Sequence, residues 1–301
     1  MSISAQQLGA LNIIGASTDG INLYYSEKGS SSSIVAKLKA DGTPLWQFTI
    51  GKKIYIDVDK ERFVYAGDSG RDVRRLDRNG SQLWVTNNGV NNTIVDIAEG
   101  GDAVYVCEDA ERFHKFDKNG GNRVWTITSF QNSTVKVEAD PTGNSYVATD
   151  SANIFKFTPN GTQAWNFSNQ SGKVNDMEFL NGFLYMVNDN NSVFKIDASN
   201  SSTVWKKNVS PNVAYVSADE QGNVYVFEES GIQKRDSNGN QIWRTTSRID
   251  GLKSAGGDVS KKSKELFIAN FTRDIQKVSQ DGVLGSVVFS SNRGLNELVI
   301  R

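Results

Sequence analysis

The stretch that decides the fold is Val73-Arg74-Arg75-Leu76-Asp77-Arg78-Asn79-Gly80-Ser81-Gln82-Leu83-Trp84. An alternating apolar run leads into an Asn-Gly pair, and a second apolar run ends at a tryptophan. Because asparagine and glycine both tolerate positive φ, the pair fits the type I′ turn of a two-residue hairpin. The stretch therefore predicts two antiparallel strands that are joined by a tight turn.

The same hairpin recurs along the whole chain. Six tryptophans are spaced by 38 to 41 residues, and each follows a glycine or serine by four residues. A seventh turn, Asp281-Gly282, has Ser286 in the tryptophan position. A fixed period of about 40 residues with four short strands is typical of a propeller blade. We therefore predict an all-β fold, a seven-bladed β-propeller of four-stranded antiparallel blades. The six tryptophans are Trp46, Trp84, Trp125, Trp165, Trp205 and Trp243.

The repeats leave no room for a second domain. We expect a single domain over 1–301, with an N-terminal arm at 1–9, seven blades at 10–290 and a C-terminal tail at 291–301. Residues 11–14 are the expected inner strand of blade 1. A propeller must join its first and last blades, or two sheet edges stay unpaired. The tail is therefore expected to add a strand, either closing the ring on blade 1 or docking on a neighbouring protein.

Composition argues against several classes of function. The net charge is −1 and there is one cysteine, and no basic stripe accompanies the strands, so nucleic acid is not an expected partner. No apolar run reaches about 18 residues, which argues against membrane insertion. The first residues do not resemble a secretory signal. We therefore expect no disulfide framework, and a cytoplasmic protein, or a virion protein if a phage encodes it.

The residues that could carry catalysis are few. His114 is the only histidine, which excludes a zinc site of several histidines and a Ser-His-Asp system with a spare imidazole. Its strand position holds arginine, phenylalanine or glutamine in other repeats, as a structural position does. We expect no enzyme activity, no cofactor and no metal. A basic residue also recurs seven times, which favours a packing role, at Lys37, Arg75, Lys115, Lys156, Lys195, Lys234 and Lys277.

A series of acidic residues follows the second strand of five repeats. An Asx-type turn cap is the simpler interpretation, and an acidic face that binds cations or sugar hydroxyls is the alternative. Sugar binding would also need aromatic rings, for which Tyr55, Phe130 and Tyr215 are candidates that no pattern aligns. The candidate ligand face consists of Asp68, Asp109, Asp150, Asp189 and Glu229.

The Gly-to-Trp spacing, as in Gly80 to Trp84, resembles the tryptophan-docking motif of pyrroloquinoline-quinone-type propellers. The stretch 139–148 is similar to an NHL-type repeat. The resemblance covers nearly the whole chain and implies that each indole stacks on a glycine peptide and docks one blade on the next. The quinone enzymes of this type use adjacent cysteines, and Cys107 stands alone. The related lactone-opening lyases depend on histidine chemistry, which also counts against an enzyme.

These observations favour a non-catalytic binding or architectural module. The chain is rich in asparagine, serine and glycine, and its arm and tail are suited to docking, which resembles phage tail, baseplate or capsid-decorating propellers. We therefore expect partners that are other subunits of an assembly, together with host-surface glycans. The alternatives are an intracellular bacterial scaffold or sensor propeller and, third, a lyase or hydrolase that uses the acidic face. One fold hosts many activities, so only the site can separate these alternatives.

Overall fold

The computed structural model describes residues 22–28, 32–87, 89–128, 130, 132–168, 172–245, 256–259, 265–269, 274–290 and 294–300. These residues form seven four-stranded sheets. Neighbouring strands within each sheet are antiparallel. The predicted seven-bladed propeller with four-stranded antiparallel blades is confirmed.

The strands follow one another in chain order within each blade, and blade 1 also takes up the last strand. The first blades contain β1 (Asn22–Lys28), β2 (Ser33–Lys39), β3 (Pro44–Ile50), β4 (Ile54–Val58), β5 (Val64–Asp68), β6 (Val73–Leu76) and β7 (Gln82–Thr86). Blades 3 and 4 contain β8 (Ile94–Gly100), β9 (Ala103–Glu108), β10 (Phe113–Asp117), β11 (Arg123–Ile127), β12 (Thr134–Ala139), β13 (Ser145–Thr149), β14 (Asn153–Phe157) and β15 (Gln163–Ser168). Blades 5 and 6 contain β16 (Val174–Leu180), β17 (Phe183–Asn188), β18 (Ser192–Asp197), β19 (Thr203–Asn208), β20 (Val213–Ala218), β21 (Val224–Glu228), β22 (Gly231–Arg235) and β23 (Gln241–Arg244). The remaining strands are β24 (Gly256–Val259), β25 (Leu266–Ala269), β26 (Asp274–Val278), β27 (Leu284–Ser290) and β28 (Gly294–Ile300).

Blade 1 is completed by the C-terminal tail. Its sheet has the order β28-β1-β2-β3, and Leu23 lies opposite Ile300 in the antiparallel register of β1 and β28. The tail therefore occupies the inner position of blade 1, which the sequence assigned to residues 11–14. Those residues, and the arm at 1–9, lie outside the described residues. Because the last strand pairs with the first blade, the sheet edge at the ring closure has a partner.

The repeated hairpin turn differs from the expected type I′ turn. Only Gly80 of the Asn79-Gly80 pair has a positive φ, of 84°, and the Gly80 N–H donates to the Asp77 carbonyl at 3.0 Å. The Asp77 carboxylate also accepts the N–H groups of Asn79 and Ser81, both at 2.8 Å. A type I turn followed by a left-handed glycine has this form and shifts the strand register by one residue. The aspartate side chain thus favours the longer turn over type I′.

The apolar core lies between the blades. The second strand of blade 2, β5, is buried along its whole length, and Tyr65 packs with Ile94 and Ile97 from blade 3. In the same way Tyr146 of blade 4 packs with Val174 and Met177 of blade 5. Each blade buries both faces against its neighbours, which is why these strands read as nearly continuous apolar runs.

Candidate functional site

Each tryptophan contacts the turn of the following blade. The Trp84 indole lies against Gly121, where a Cβ atom would be 2.8 Å from the ring, so a side chain here would displace the indole. The glycine partner belongs to the next repeat and is not the glycine four residues before the tryptophan. From Trp46 to Trp243 in order, the indole N–H groups donate over 2.6–3.2 Å to the carbonyls of Arg78, Lys118, Pro159, Ala198, Ser237 and Gln280.

The boundary between blades 7 and 1 is built without a tryptophan. Ser286 stands in that position, and the turn glycine of blade 1, Gly42, approaches the backbone of β27 instead. A Cβ atom on Gly42 would lie 2.2 Å from the Val288 carbonyl oxygen. The missing indole is therefore replaced by a direct backbone approach.

The recurring basic residues stabilise the same boundaries. Lys156 Nζ donates at 2.8 Å to the Ala198 carbonyl, the acceptor that also receives the Trp165 indole. Its ammonium lies 5.3 Å from the centroid of the Tyr146 ring below it, a cation–π distance. Lys37, Lys115 and Lys195 bind the next turn in the same way. These cations are engaged within the ring, and the structure gives them a packing role.

The five acidic residues of the candidate ligand face do not share one structural position. The backbone N–H groups of Asp109, Asp150, Asp189 and Glu229 each donate to a carbonyl just before the inner strand of their own blade, at 2.7–3.3 Å. Ser69 makes this bond in blade 2, at 2.8 Å. The four acidic residues therefore cap equivalent loops, and their side chains are exposed or half-exposed.

Asp68 lies one residue earlier in its repeat than the other four acidic residues do in theirs, and it is buried. It is opposite Ile54, as Glu108 is opposite Ile94, and it accepts the Gly70 N–H at 2.7 Å and Arg74 Nη1 at 2.5 Å. Asp68 thus closes a turn and an internal ion pair within blade 2, and its carboxylate does not belong to the exposed face.

His114 lies beside the equivalent buried acid of blade 3. Its Nε2 is 2.5 Å from Glu108 Oε1 and its Nδ1 is 2.8 Å from Thr126 Oγ1, and neither the His114 nor the Glu108 side chain is exposed. Burial alone would raise the pKa of Glu108, but hydrogen bonds from His114, Asn92 and the Asn91 N–H outweigh burial and hold the pKa below its usual value. The imidazole therefore serves a buried carboxylate and is closed off from any substrate.

Carboxylates on the inner strands form a second set of contacts that sequence reasoning missed. Asp96 Oδ2 accepts the Val137 N–H at 2.8 Å, and Asp176 Oδ2 accepts the Val216 N–H at 3.0 Å. Inner strands are sheet edges with N–H groups that face the axis, so each carboxylate satisfies a donor of the next blade. Lys136 Nζ lies 3.8 Å from Asp96 and 3.5 Å from Asp176. An acidic residue within successive inner strands was the signal that could have found them.

A recess opens at the axial mouth, on the face of the hairpin turns. It has a volume of about 560 Å³ and reaches from blade 2 to blade 5. Phe63, Phe179 and Leu180 line it and are half-buried. The exposed side chains of Lys60 and Glu61 stand at its rim. The recess therefore combines apolar surface with charges of both signs.

Two simple chemical features are missing from the part of the chain that the structure describes. No three or more His, Cys, Asp or Glu side chains gather there as a metal site would require. Within the same ranges, no helix has the length and hydropathy to span a bilayer.

Comparison with known proteins places the chain in a family. A family model described as outer membrane protein assembly factor BamB matches residues 6–128 and 109–297. No curated protein matches the chain. Among solved structures, BamB from Moraxella catarrhalis is 16% identical with a TM-score of 0.68, and the alignment covers 100% of this chain and 92% of that one. The WD40 repeats of RRP9 are 12% identical with a TM-score of 0.71 and cover 87% of each chain.

A third solved structure, U3-55K, is 12% identical with a TM-score of 0.71, over 87% of this chain and 88% of that one. Identities at this level support the fold and carry no function with them. The family model, by contrast, spans most of the sequence and all seven repeats. The chain therefore belongs to the pyrroloquinoline-quinone-type propeller family whose model is described as outer membrane protein assembly factor BamB.

Proposed function

We propose that this protein is a non-catalytic propeller that binds other proteins of an assembly, and that the axial mouth receives a segment of the partner. The mouth carries the proposal, because a concave recess of about 560 Å³ that joins Phe63, Phe179 and Leu180 suits several side chains of a partner. Apolar side chains at the centre with charges at the rim are the usual anatomy of a protein interface.

The shape of the mouth is held by contacts inside the ring. Arg75 lies 4.1 Å from the centroid of the Phe63 ring, and Phe179 stacks on Tyr146 with the ring centroids 5.4 Å apart and an angle of 12°. Lys118 Nζ binds Glu99 Oε1 at 2.7 Å. A recess whose side chains are fixed in advance loses less conformational entropy when it binds.

The kind of assembly is the second part of the proposal. The asparagine-, serine- and glycine-rich composition supports a subunit of a phage virion, the first expectation. The family description, an assembly factor of the outer membrane, supports the alternative of a bacterial scaffold. Both have the same binding surface and differ in the partner.

Site-specific photo-crosslinking in the source cells tests the proposal. A photoreactive residue at Leu180, in the mouth, should crosslink to one defined protein. The same residue at Asp189, exposed at the other end of the same blade, is the matched control and should not. Crosslinks that are equal at both positions, or absent at Leu180, would overturn mouth binding. Mass spectrometry of the product then separates a virion subunit from a bacterial scaffold partner.

A further inference from the structure

Blade 4 departs from blades 3 and 6 beside the end of its second strand. In blade 3 this place is filled by the buried side chains of Glu108 and His114 and by Thr126, which is half-buried. In blade 6 Glu228 binds Gln233 and Arg244, at 2.5 and 2.9 Å. The positions that correspond in blade 4 hold Thr149, Phe155 and Asn166.

The departure leaves a cavity of about 310 Å³ at the boundary of blades 3 and 4. It lies at the end of β13 that is far from the axial mouth, near Asp150, which directly follows this strand. Among the described residues that line it, none is charged. An uncharged cavity of this size matches the lower end of the range for small-molecule sites.

Phe155 gives the cavity an aromatic wall. Its ring packs edge-on against Phe130, with centroids 5.4 Å apart and an angle of 71°, and lies 6.4 Å from Phe157 at 25°. Phe130 and Phe157 are buried, whereas Phe155 is half-exposed. The ring is therefore fixed from behind while one part of it stays open.

Hydroxyl and amide groups surround this ring. Thr149 Oγ1 lies 2.9 Å from Ser151 Oγ, which also accepts Asn153 Nδ2 at 3.1 Å. Three further amides line the cavity, and none of them has a hydrogen-bond partner among the described residues, namely those of Asn132, Gln163 and Asn166. Each such amide offers two donors and an acceptor to a bound molecule.

We propose that this cavity binds one neutral sugar residue. The negative face of an aromatic ring attracts C–H groups, which a pyranose presents on one side. The amides and hydroxyls match the sugar hydroxyls, which also donate and accept. No charged side chain lines the described wall, so this wall offers no charged partner of the kind that a sialic or uronic acid requires. This site is separate from the protein-binding mouth and does not depend on it.

The substitution Asn166→Ala tests the site with a matched control. Asn166 is exposed, so its loss should leave folding intact. Gln47 is an exposed amide at the same position of blade 1, where the residue opposite it is Ala36 and not a phenylalanine. Gln47→Ala should therefore leave sugar binding unchanged. Loss of one neutral hydrogen bond predicts a dissociation constant about five to ten times larger for Asn166→Ala.

The probes are the methyl glycosides of glucose, galactose and mannose, N-acetylglucosamine, N-acetylgalactosamine, glucuronic acid and sialic acid. Saturation-transfer NMR and calorimetric titration should show at least one neutral sugar binding with a millimolar dissociation constant. Binding by none of the neutral sugars, tighter binding of an acidic sugar, or an unchanged constant in Asn166→Ala would each overturn the proposal. Crosslinking from the mouth is unaffected by any of these outcomes, so the two proposals fail separately.

Discussion

Trp84→Phe and Trp165→Phe should differ in cost although the two side chains occupy the same place in the repeat. The Ala198 carbonyl accepts the Trp165 indole at 3.2 Å and keeps a second donor, Lys156 Nζ, at 2.8 Å. The Lys118 carbonyl accepts the Trp84 indole at 3.2 Å. The basic residue of that repeat, Arg75, is directed to Asn119 Oδ1 instead. Trp165→Phe therefore leaves the Ala198 carbonyl with one side-chain donor. Trp84→Phe removes the single side-chain donor that is described for the Lys118 carbonyl.

The magnitude follows from two separate contributions. Both indoles are half-buried against a turn of the next blade, so truncation to alanine should cost about 3 kcal/mol at either site. Phenylalanine keeps most of the apolar contact and shortens the ring equally at both sites, so that this part cancels in the comparison. The remaining difference is one hydrogen bond, and Trp84→Phe should be about 1 kcal/mol more costly than Trp165→Phe.

Urea denaturation of the four single variants, followed by far-ultraviolet circular dichroism, gives the free energies of unfolding. An unchanged dependence on urea concentration shows that stability, rather than the denatured state, has changed. Losses below about 1 kcal/mol in both alanine variants would refute the docking role of the tryptophans. Equal losses in the two phenylalanine variants would refute the shared-acceptor argument alone.

Three further outcomes follow from other contacts. His114→Gln should cost less than about 1.5 kcal/mol of stability and leave binding unchanged, because blade 6 has a glutamine at this position. His114→Leu should cost about 3 kcal/mol or more, because Glu108 loses the hydrogen bond from the imidazole. Denaturation measures both costs, and the crosslinking assay measures binding. Deletion of 294–301 removes the inner strand of blade 1 and should lower the Tm by at least about 10 °C, and unchanged melting would contradict ring closure. Burial raises the pKa of Asp176 from 3.8 to about 6, so the folded state binds this proton more tightly than the unfolded state. The stability that the proton contributes should be lost as the pH rises from 3.8 to about 6, and Asp176→Asn should reduce that loss in denaturation across pH.

The architecture could be predicted because its cause is repeated. The tryptophan that binds the next turn recurs in six of the seven blades at a spacing of 38 to 41 residues, so this spacing gives the length of one blade. The turn type could not be predicted from Asn79-Gly80 alone, since the Asp77 side chain holds a longer turn that the dipeptide does not reveal. The partner of β1 was equally hidden, because both 11–14 and the tail have the apolar character of an inner strand.

The candidate ligand face was harder to predict because loop lengths differ by one residue between repeats. Spacing placed Asp68 with Asp109, whereas strand pairing places it with Glu108. One residue separates a buried carboxylate from an exposed one, since alternate residues of a strand have different surroundings. No sequence motif indicates the cavity beside Phe155, because the cavity forms where blade 4 lacks the buried glutamate that blades 3 and 6 have.

The residue type at the end of the second strand and the residue type beside it on the third strand vary together from blade to blade. This relation explains why the exposed aromatic ring, that of Phe155, lies in blade 4. A buried acid needs a donor, and Glu108 has His114 across from it. Where the residue at the end of the second strand is neutral, the residue on the third strand can be aromatic. Blade 4 has Thr149 and Phe155 at these two positions, and blade 5 has Asn188 and Phe194. In blade 5, however, Lys206 Nζ lies 4.9 Å from the centroid of the Phe194 ring and Phe194 is buried. The aromatic position that blade 5 covers with a lysine is therefore left open in blade 4, and this difference between two otherwise similar blades is what makes the cavity beside Phe155 a place for a ligand.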